Sequence, residues 1–295
     1  MSKPLLQTVN LTKHYGGPRP ALVDLNLAIA PGEIFGLLGP NGSGKSTALR
    51  MLLGFMRPTS GSATIAGLDC WSESVEVRRR VAYLPGELRL YETMTGRQLL
   101  RFLAELRRGE VAGDQDRLAQ RLDIDLDRPL VQMSSGMKRK VALMSVLLPK
   151  VELLILDEPT NTLDPIMRDE LLAQLRQARD RGQAVLFSSH VLSEVEQVCD
   201  RVGILQRGRL VHEQDMKSMH SRNVHVRFAQ APATLPEFLK PVAAESKLEQ
   251  DFEYEGEVQP LLDWLSHQLV ADVRIEPTGL APIYQRFHGA EPDAI

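Results

Sequence analysis

A chain of 295 residues with 43% hydrophobic and 25% charged side chains has enough apolar surface for a sizeable core, which excludes a mostly disordered chain. A formal net charge of -3 argues against a dedicated nucleic-acid binder, and two cysteines, Cys70 and Cys199, exclude a disulfide framework and point to a reducing compartment. No run approaches the roughly 18 uninterrupted apolar residues of a membrane span, and residues 1–13 lack the pattern of a secretory signal, so the expectation is a chain soluble by itself.

In chain order, residues 33–38 are short and apolar and lead into a Gly-rich turn, which predicts a buried strand. Residues 44–55 predict a helix, with Leu49, Leu52 and Leu53 at helical spacing. Between them, Gly39-Pro40-Asn41-Gly42-Ser43-Gly44-Lys45-Ser46-Thr47 fits G-x-x-x-x-G-K-[ST] in the strand–loop–helix context that this motif requires. The glycines let successive backbone N–H groups face an anion at the positive end of a helix dipole. Lys45 then neutralises the β- and γ-phosphates of a nucleotide, and the Ser46 hydroxyl ligates Mg²⁺.

Residues 95–107 predict a second helix, opened by a capping box from Thr95 to Gln98 and carrying Leu99, Phe102, Leu103 and Leu106 on one face. Residues 153–156 are a continuous apolar strand ending in two carboxylates, Asp157 and Glu158. Ligands of a parallel sheet bind beyond the carboxyl ends of its strands. Asp157 is therefore expected in the Mg²⁺ shell, and Glu158 is expected to orient the attacking water or take its proton. Asp164 and Pro165 suit the N-cap and first turn of a helix to about Asp180, and residues 184–189 predict a third strand. Strands alternating with helices argue for an α/β fold with a mainly parallel sheet.

The composition changes near residue 213. Residues 1–212 hold 18 of the 21 glycines, with 28 basic and 24 acidic side chains; residues 213–295 hold 7 basic and 14 acidic ones. A domain boundary is expected at 210–222, between a larger domain of residues 1–212 and an accessory α+β domain of residues 213–295. In the latter, residues 224–229 and 270–276 read as strands. Val258, Leu261, Leu262, Leu265 and Leu269 share one helical face; Leu280, Ile283, Tyr284 and Phe287 share another. Trp264 and Tyr284 read as core. The basic runs Arg78-Arg79-Arg80 and Lys138-Arg139-Lys140 read as solvated helix faces.

These motifs, in this order, resemble the nucleotide-binding subunit of ATP-binding cassette (ABC) transporters over about residues 5–212. The resemblance implies a P-loop ABC-type ATPase domain with a helical subdomain at about residues 86–150. It implies that Tyr15, in Lys13-His14-Tyr15-Gly16-Gly17, stacks on adenine. Met133-Ser134-Ser135-Gly136-Met137 is similar to the family's LSGGQ signature at Ser134 and Gly136, with Ser135 in place of a glycine and Met137 in place of glutamine. Asn161-Thr162-Leu163-Asp164 resembles the D-loop, and His190, after the third strand, resembles the switch histidine. One departure stands out: Tyr83-Leu84-Pro85 is followed by Gly86 where the family usually has glutamine. Gly86 has no side chain to ligate Mg²⁺ or position water, which leaves Glu87 as a candidate from one residue further on.

The implied cofactors are ATP and Mg²⁺, with Glu158 and His190 as catalytic residues. The implied partners are a second copy and a separate polytopic permease. Two copies close head to tail on two ATP molecules, each held between the P-loop and carboxylates of one chain and a helix starting near residue 137, behind Ser134 and Gly136, of the other. The expected location is the cytoplasmic face of the inner membrane, with no nucleic acid bound. The segments MSSGMK and YLPGE, and residues 277–289, resemble the branch of ABC-2 type drug, antibiotic and natural-product exporters. A soluble relative acting on nucleic acid or ribosomes fits less well, because Lys45 and Asp157 lie only 112 positions apart and leave no room for long coiled coils. A non-hydrolysing scaffold is disfavoured by the joint presence of Lys45, Ser46, Asp157, Glu158 and His190.

Overall fold

Strands covered on both faces are near-continuous apolar runs, and three segments of the chain have that character up to their carboxyl ends. Ile34–Leu38, Leu153–Asp157 and Ala184–Ser189 are buried at every position. The computed structural model describes residues 3–288 apart from 18, 108–114, 220, 233, 237, 245, 247 and 278. Thr278 and Gly289 of the expected C-terminal segment thus lie outside the described residues. The chain divides into two units, Met1–Gln214 and Asp215–Ile295.

The first unit runs β1 (Leu6–Lys13), β2 (Leu22–Ile29), β3 (Ile34–Leu38), α1 (Lys45–Leu52), β4 (Ser60–Ile65), β5 (Leu68–Asp69), α2 (Ser74–Arg80) and β6 (Val81–Leu84). It continues with α3 (Gly96–Leu106), α4 (Gln115–Arg121), α5 (Ser135–Leu147), β7 (Leu153–Asp157), α6 (Pro165–Asp180), β8 (Ala184–Ser189), α7 (Leu192–Val198), β9 (Arg201–Gln206) and β10 (Arg209–Asp215). One sheet has the order β10-β9-β3-β8-β7-β6, and within it β9, β3, β8, β7 and β6 are parallel. Its register pairs Leu38 with Ser189 and Asp157 with Ser188, so the carboxyl ends of β3, β8 and β7 lie side by side. A second sheet, β2-β1-β4-β5, is antiparallel. Leucines and isoleucines from both sheets and from α1 share one core with Phe35, Leu49, Leu52, Ile155 and Leu186.

The capping box forms: the Thr95 hydroxyl accepts from the Gln98 backbone N–H at 3.2 Å, and the Gln98 side-chain Oε1 accepts from the Thr95 N–H at 2.9 Å. Leu99 is buried on that helix, Phe102 and Leu103 are half-buried, and Leu106 is exposed. The helix expected from 137 starts two residues earlier, at Ser135, because the Ser134 hydroxyl caps it. The solvated reading of the basic runs is corrected at two positions. Arg139 is 2% exposed. Arg78 donates to the Leu53 carbonyl at 3.0 Å and lies over the Phe55 ring. The flanking Lys138 and Lys140 are half-buried and donate to Glu92 and to the Asp123 carbonyl.

The second unit holds β11 (Ser221–Phe228), β12 (Leu239–Ala244), β13 (Glu249–Glu255), α8 (Val258–Ser266), β14 (Val270–Pro277) and α9 (Ala281–His288). Its antiparallel sheet has the order β12-β13-β11-β14. Val224, Val226, Phe228, Phe252 and Tyr254 from alternate strand positions pack with Leu261 and Leu265 of α8. Trp264 joins this core half-buried, edge-on to Phe228. Tyr284 is half-buried on α9.

Candidate active site

The turn from β3 into α1 demands backbone that a side chain resists. Gly44 has φ +111°, and a Cβ there would lie 2.7 Å from the Ala21 carbonyl oxygen. With that glycine in place, Asn41, Gly42, Ser43, Gly44, Lys45, Ser46 and Thr47 line one cavity of about 160 Å³, and Glu158 closes its side. Gly39 opens the turn at the end of β3.

Lys45 is 5% exposed. Its ammonium donates to the Gly39 and Pro40 carbonyls at 2.6 and 3.2 Å and lies 3.6 Å from Glu158 Oε1. Burial lowers its pKa, and the charges of Glu158 and Asp157 partly offset that. The Ser46 hydroxyl donates to Asp157 Oδ2 at 3.0 Å, and the Ser188 hydroxyl donates to Oδ1 at 2.6 Å. Ser188 also accepts the Glu158 N–H at 3.0 Å.

Glu158 stands at φ +46°, a left-handed conformation that non-glycine residues rarely adopt. Its Oε2 accepts from the Asn161 amide at 2.8 Å and lies 3.4 Å from His190 Nδ1. Burial by itself would raise the Glu158 carboxyl; the Asn161 hydrogen bond and the Lys45 and His190 charges outweigh it and hold the group below its ordinary value. Five residues picked out in the sequence over a span of 146 positions, Lys45, Ser46, Asp157, Glu158 and His190, thus form one connected cluster.

The remaining candidates lie elsewhere. Tyr15 is exposed, its hydroxyl donating to the Met56 sulfur at 3.0 Å. Ser134, Ser135 and Gly136 form the start of α5, where the Ser134 hydroxyl accepts the Met137 N–H at 3.3 Å. Among the described residues, no hydrogen bond or ion pair joins these three to the phosphate loop or to Asp157 and Glu158. Asp164 caps α6, its Oδ1 accepting the Met167 N–H at 3.0 Å. Glu87 is exposed, whereas the Gly86 backbone lies beside Asp157: a Cβ at 86 would be 3.6 Å from Oδ2.

Three side chains that brace the site escaped the sequence reading. Ser188 holds both Asp157 and Glu158, and its signal was a hydroxyl pair ending an otherwise apolar strand. Buried Glu194 accepts from Thr160 and Ser189 hydroxyls at 2.8 and 3.0 Å, tying the turn after Glu158 to the residue before His190. Arg139 had no signal, since it sits inside a run of surface-type cations.

The site fits a nucleotide and its metal ion by its own chemistry. The Ser43 hydroxyl oxygen is buried in the loop without a hydrogen-bond partner, as a group aimed at an anion would be. Ser46 and Asp157 offer hard oxygen donors. Among the described residues, no group of three or more His, Cys, Asp or Glu side chains is arranged to hold a metal. Mg²⁺ suits that condition, since it takes one or two protein ligands together with substrate phosphates.

A glycine-rich loop feeding a helix N-terminus, with two strand-end carboxylates beside its lysine, defines a P-loop nucleoside triphosphatase. The sequence model described as ABC transporter matches residues 22–161. The chain is 35% identical over 215 residues to the linearmycin resistance ATP-binding protein LnrL of Bacillus subtilis (strain 168), covering 70% of this chain and 68% of the relative. It is 36% identical over 222 residues to the bacitracin transport ATP-binding protein BcrA of Bacillus licheniformis, covering 74% and 72%. A solved ATP-binding subunit of an ABC transporter superposes with a TM-score of 0.67 at 30% identity, over 73% of this chain and 92% of that one. The chain belongs to the ATP-binding subunits of ABC transporters, and it is an ATPase.

Proposed function

We propose that this chain powers an exporter as a head-to-tail homodimer bound to a separate polytopic permease. The observation that carries the dimer is the lining of the phosphate cavity: the phosphate loop and Glu158 line it, while Ser134–Gly136 do not and instead open a helix whose N-terminus suits an anion. A second copy would bring that terminus to the γ-phosphate. Export is supported by the relatives, one named for linearmycin resistance and one for bacitracin transport.

In this reading Lys45 neutralises the β- and γ-phosphates, and Ser46 and Asp157 hold Mg²⁺. The metal, when bound, supplies further charge neutralisation at the same oxygens. Glu158 orients water and accepts its proton, and His190, beside Glu158, senses the γ-phosphate. Asp164 stands at the D-loop end facing the second copy. Residues 1–212 form the engine and residues 213–295 an accessory domain. The permease engages the region of about residues 86–150, where Tyr91, Leu106 and Val131 expose apolar surface. Closure on ATP is a population shift, because ATP contacts both copies only in the closed state. No helix among the described residues is long and apolar enough to cross a membrane. In this reading the permease carries the pore and the chain sits on the cytoplasmic face of the inner membrane, where ATP is supplied.

The test is affinity purification from detergent-solubilised membranes. A polytopic membrane protein in stoichiometric amount is expected; recovery only in soluble or ribosomal fractions would contradict the reading.

Tyr15 has a separate test. Base–aromatic stacking is worth about 1–3 kcal/mol. Tyr15→Ala is expected to weaken ATP by roughly 5- to 100-fold while leaving inorganic triphosphate affinity unchanged. Calorimetric titration with both ligands checks this, and equal losses would remove Tyr15 from the adenine site.

A further inference from the structure

A buried guanidinium is costly unless every donor finds a partner. Arg139, in the second turn of α5, has five N–H donors and places them on five backbone carbonyls. Nη1 donates to Pro85 and Gly86, both at 3.0 Å. Nη2 donates to Asp157 at 3.2 Å and to Glu158, and Nε donates to Pro159 at 3.2 Å. No carboxylate oxygen is among these partners.

The five carbonyls belong to two segments. One is the turn that carries Asp157 and Glu158. The bond to the Glu158 carbonyl and the Ser188 bond to its N–H bracket the residue held at φ +46°. The other segment begins at Pro85 and Gly86 and runs on to Tyr91 and Glu92, where Lys138, the neighbour of Arg139, pairs with Glu92 at 2.5 Å. Helix α5 therefore grips the 85–92 segment at both ends and the carboxylate turn at its centre. Its own N-terminus carries Ser134, Ser135 and Gly136.

We propose that Arg139 is the positioning residue that couples the Asp157–Glu158 turn to the 85–92 segment, so that hydrolytic geometry and that segment move as one body with the start of α5. The proposal rests on the chain being an ATPase. A side chain at 86 is not the tie here, since position 86 is glycine. A lysine at 139 keeps the charge but has a single ammonium head, which spans one segment and not both. A glutamine at 86 is the replacement tie to test, because a Cβ there would lie 3.6 Å from Asp157 Oδ2 and so start a side chain beside that carboxylate.

The experiment compares Arg139→Lys, Arg139→Gln, Gly86→Gln and the Gly86→Gln/Arg139→Lys pair. It measures kcat and KM for ATP, equilibrium binding of a fluorescent ATP analogue, and thermal melting. Displacement of a catalytic group by about 1 Å costs on the order of 100-fold in rate. Arg139→Lys is thus expected to lose about 100-fold in kcat with nucleotide affinity held within roughly threefold, and the pair to recover about tenfold. Unchanged kcat in both Arg139 variants overturns the proposal. So does an affinity loss that parallels the rate loss, a pair that recovers nothing, or loss of cooperative melting in both variants, which would make Arg139 a folding element alone. Absence of turnover in the unmodified protein would instead strike at the ATPase assignment.

Discussion

Replacing Glu158 with glutamine is expected to lower ATP turnover by about 10²- to 10⁴-fold, the range a positioned general base contributes. Glutamine keeps the volume and the hydrogen bond to Asn161 but cannot accept a proton from water. The carboxylate is held ionised beside Lys45 and His190, so the variant removes the base of the proposed function together with the negative partner of Lys45. ATP affinity is expected to persist, because the phosphate loop and Asp157 are untouched. Steady-state hydrolysis and nucleotide binding on the same preparation check both halves. Unchanged turnover would take the role of base away from Glu158.

Lys45→Ala should act earlier, on binding. A hydrogen bond to a charged group is worth about 1.5–3 kcal/mol, and Lys45 is buried where water screens little. ATP affinity is expected to fall by roughly 10- to 100-fold. The substitution also releases the Gly39 and Pro40 carbonyls and leaves Glu158 without its cation, so a small loss in melting temperature accompanies the effect. Titration with ATP and with ADP separates the contributions. A lysine aimed at the β- and γ-phosphates should cost ATP at least as much as ADP, and a larger ADP loss would contradict that aim.

The parts of this molecule that read plainly in the sequence are those where one physical demand acts alone. Burial on both faces makes residues 153–156 apolar throughout, and Asp157 and Glu158 follow where a ligand must sit. Thr95 and Gln98 announce their helix because capping is local. The antiparallel sheet was not legible. Leu22–Ile29 buries alternate residues, yet Asp24 and Asn26 interrupt it and Leu6–Lys13 changes register along its length. Strand Glu249–Glu255 hid in the same way: Phe252 and Tyr254 point into the core, but the acids between them dominate the composition. Arg139 was misread for a deeper reason. Charge runs usually mark solvated faces, and only the tertiary arrangement shows that five carbonyls from two distant loops converge on the middle cation of this run. The same holds for Ser188, whose partners depend on the register between β7 and β8.

In the proposed homodimer one chain holds half of each ATP site and a second copy completes it. Light scattering on the Glu158→Gln variant during size-exclusion chromatography tests this most directly. The expected result is a monomer without nucleotide, a dimer with ATP, and loss of that dimer when Gly136→Asp puts a negative charge at the start of α5. A monomer at saturating ATP, or an ATP-dependent dimer indifferent to Gly136→Asp, would contradict it.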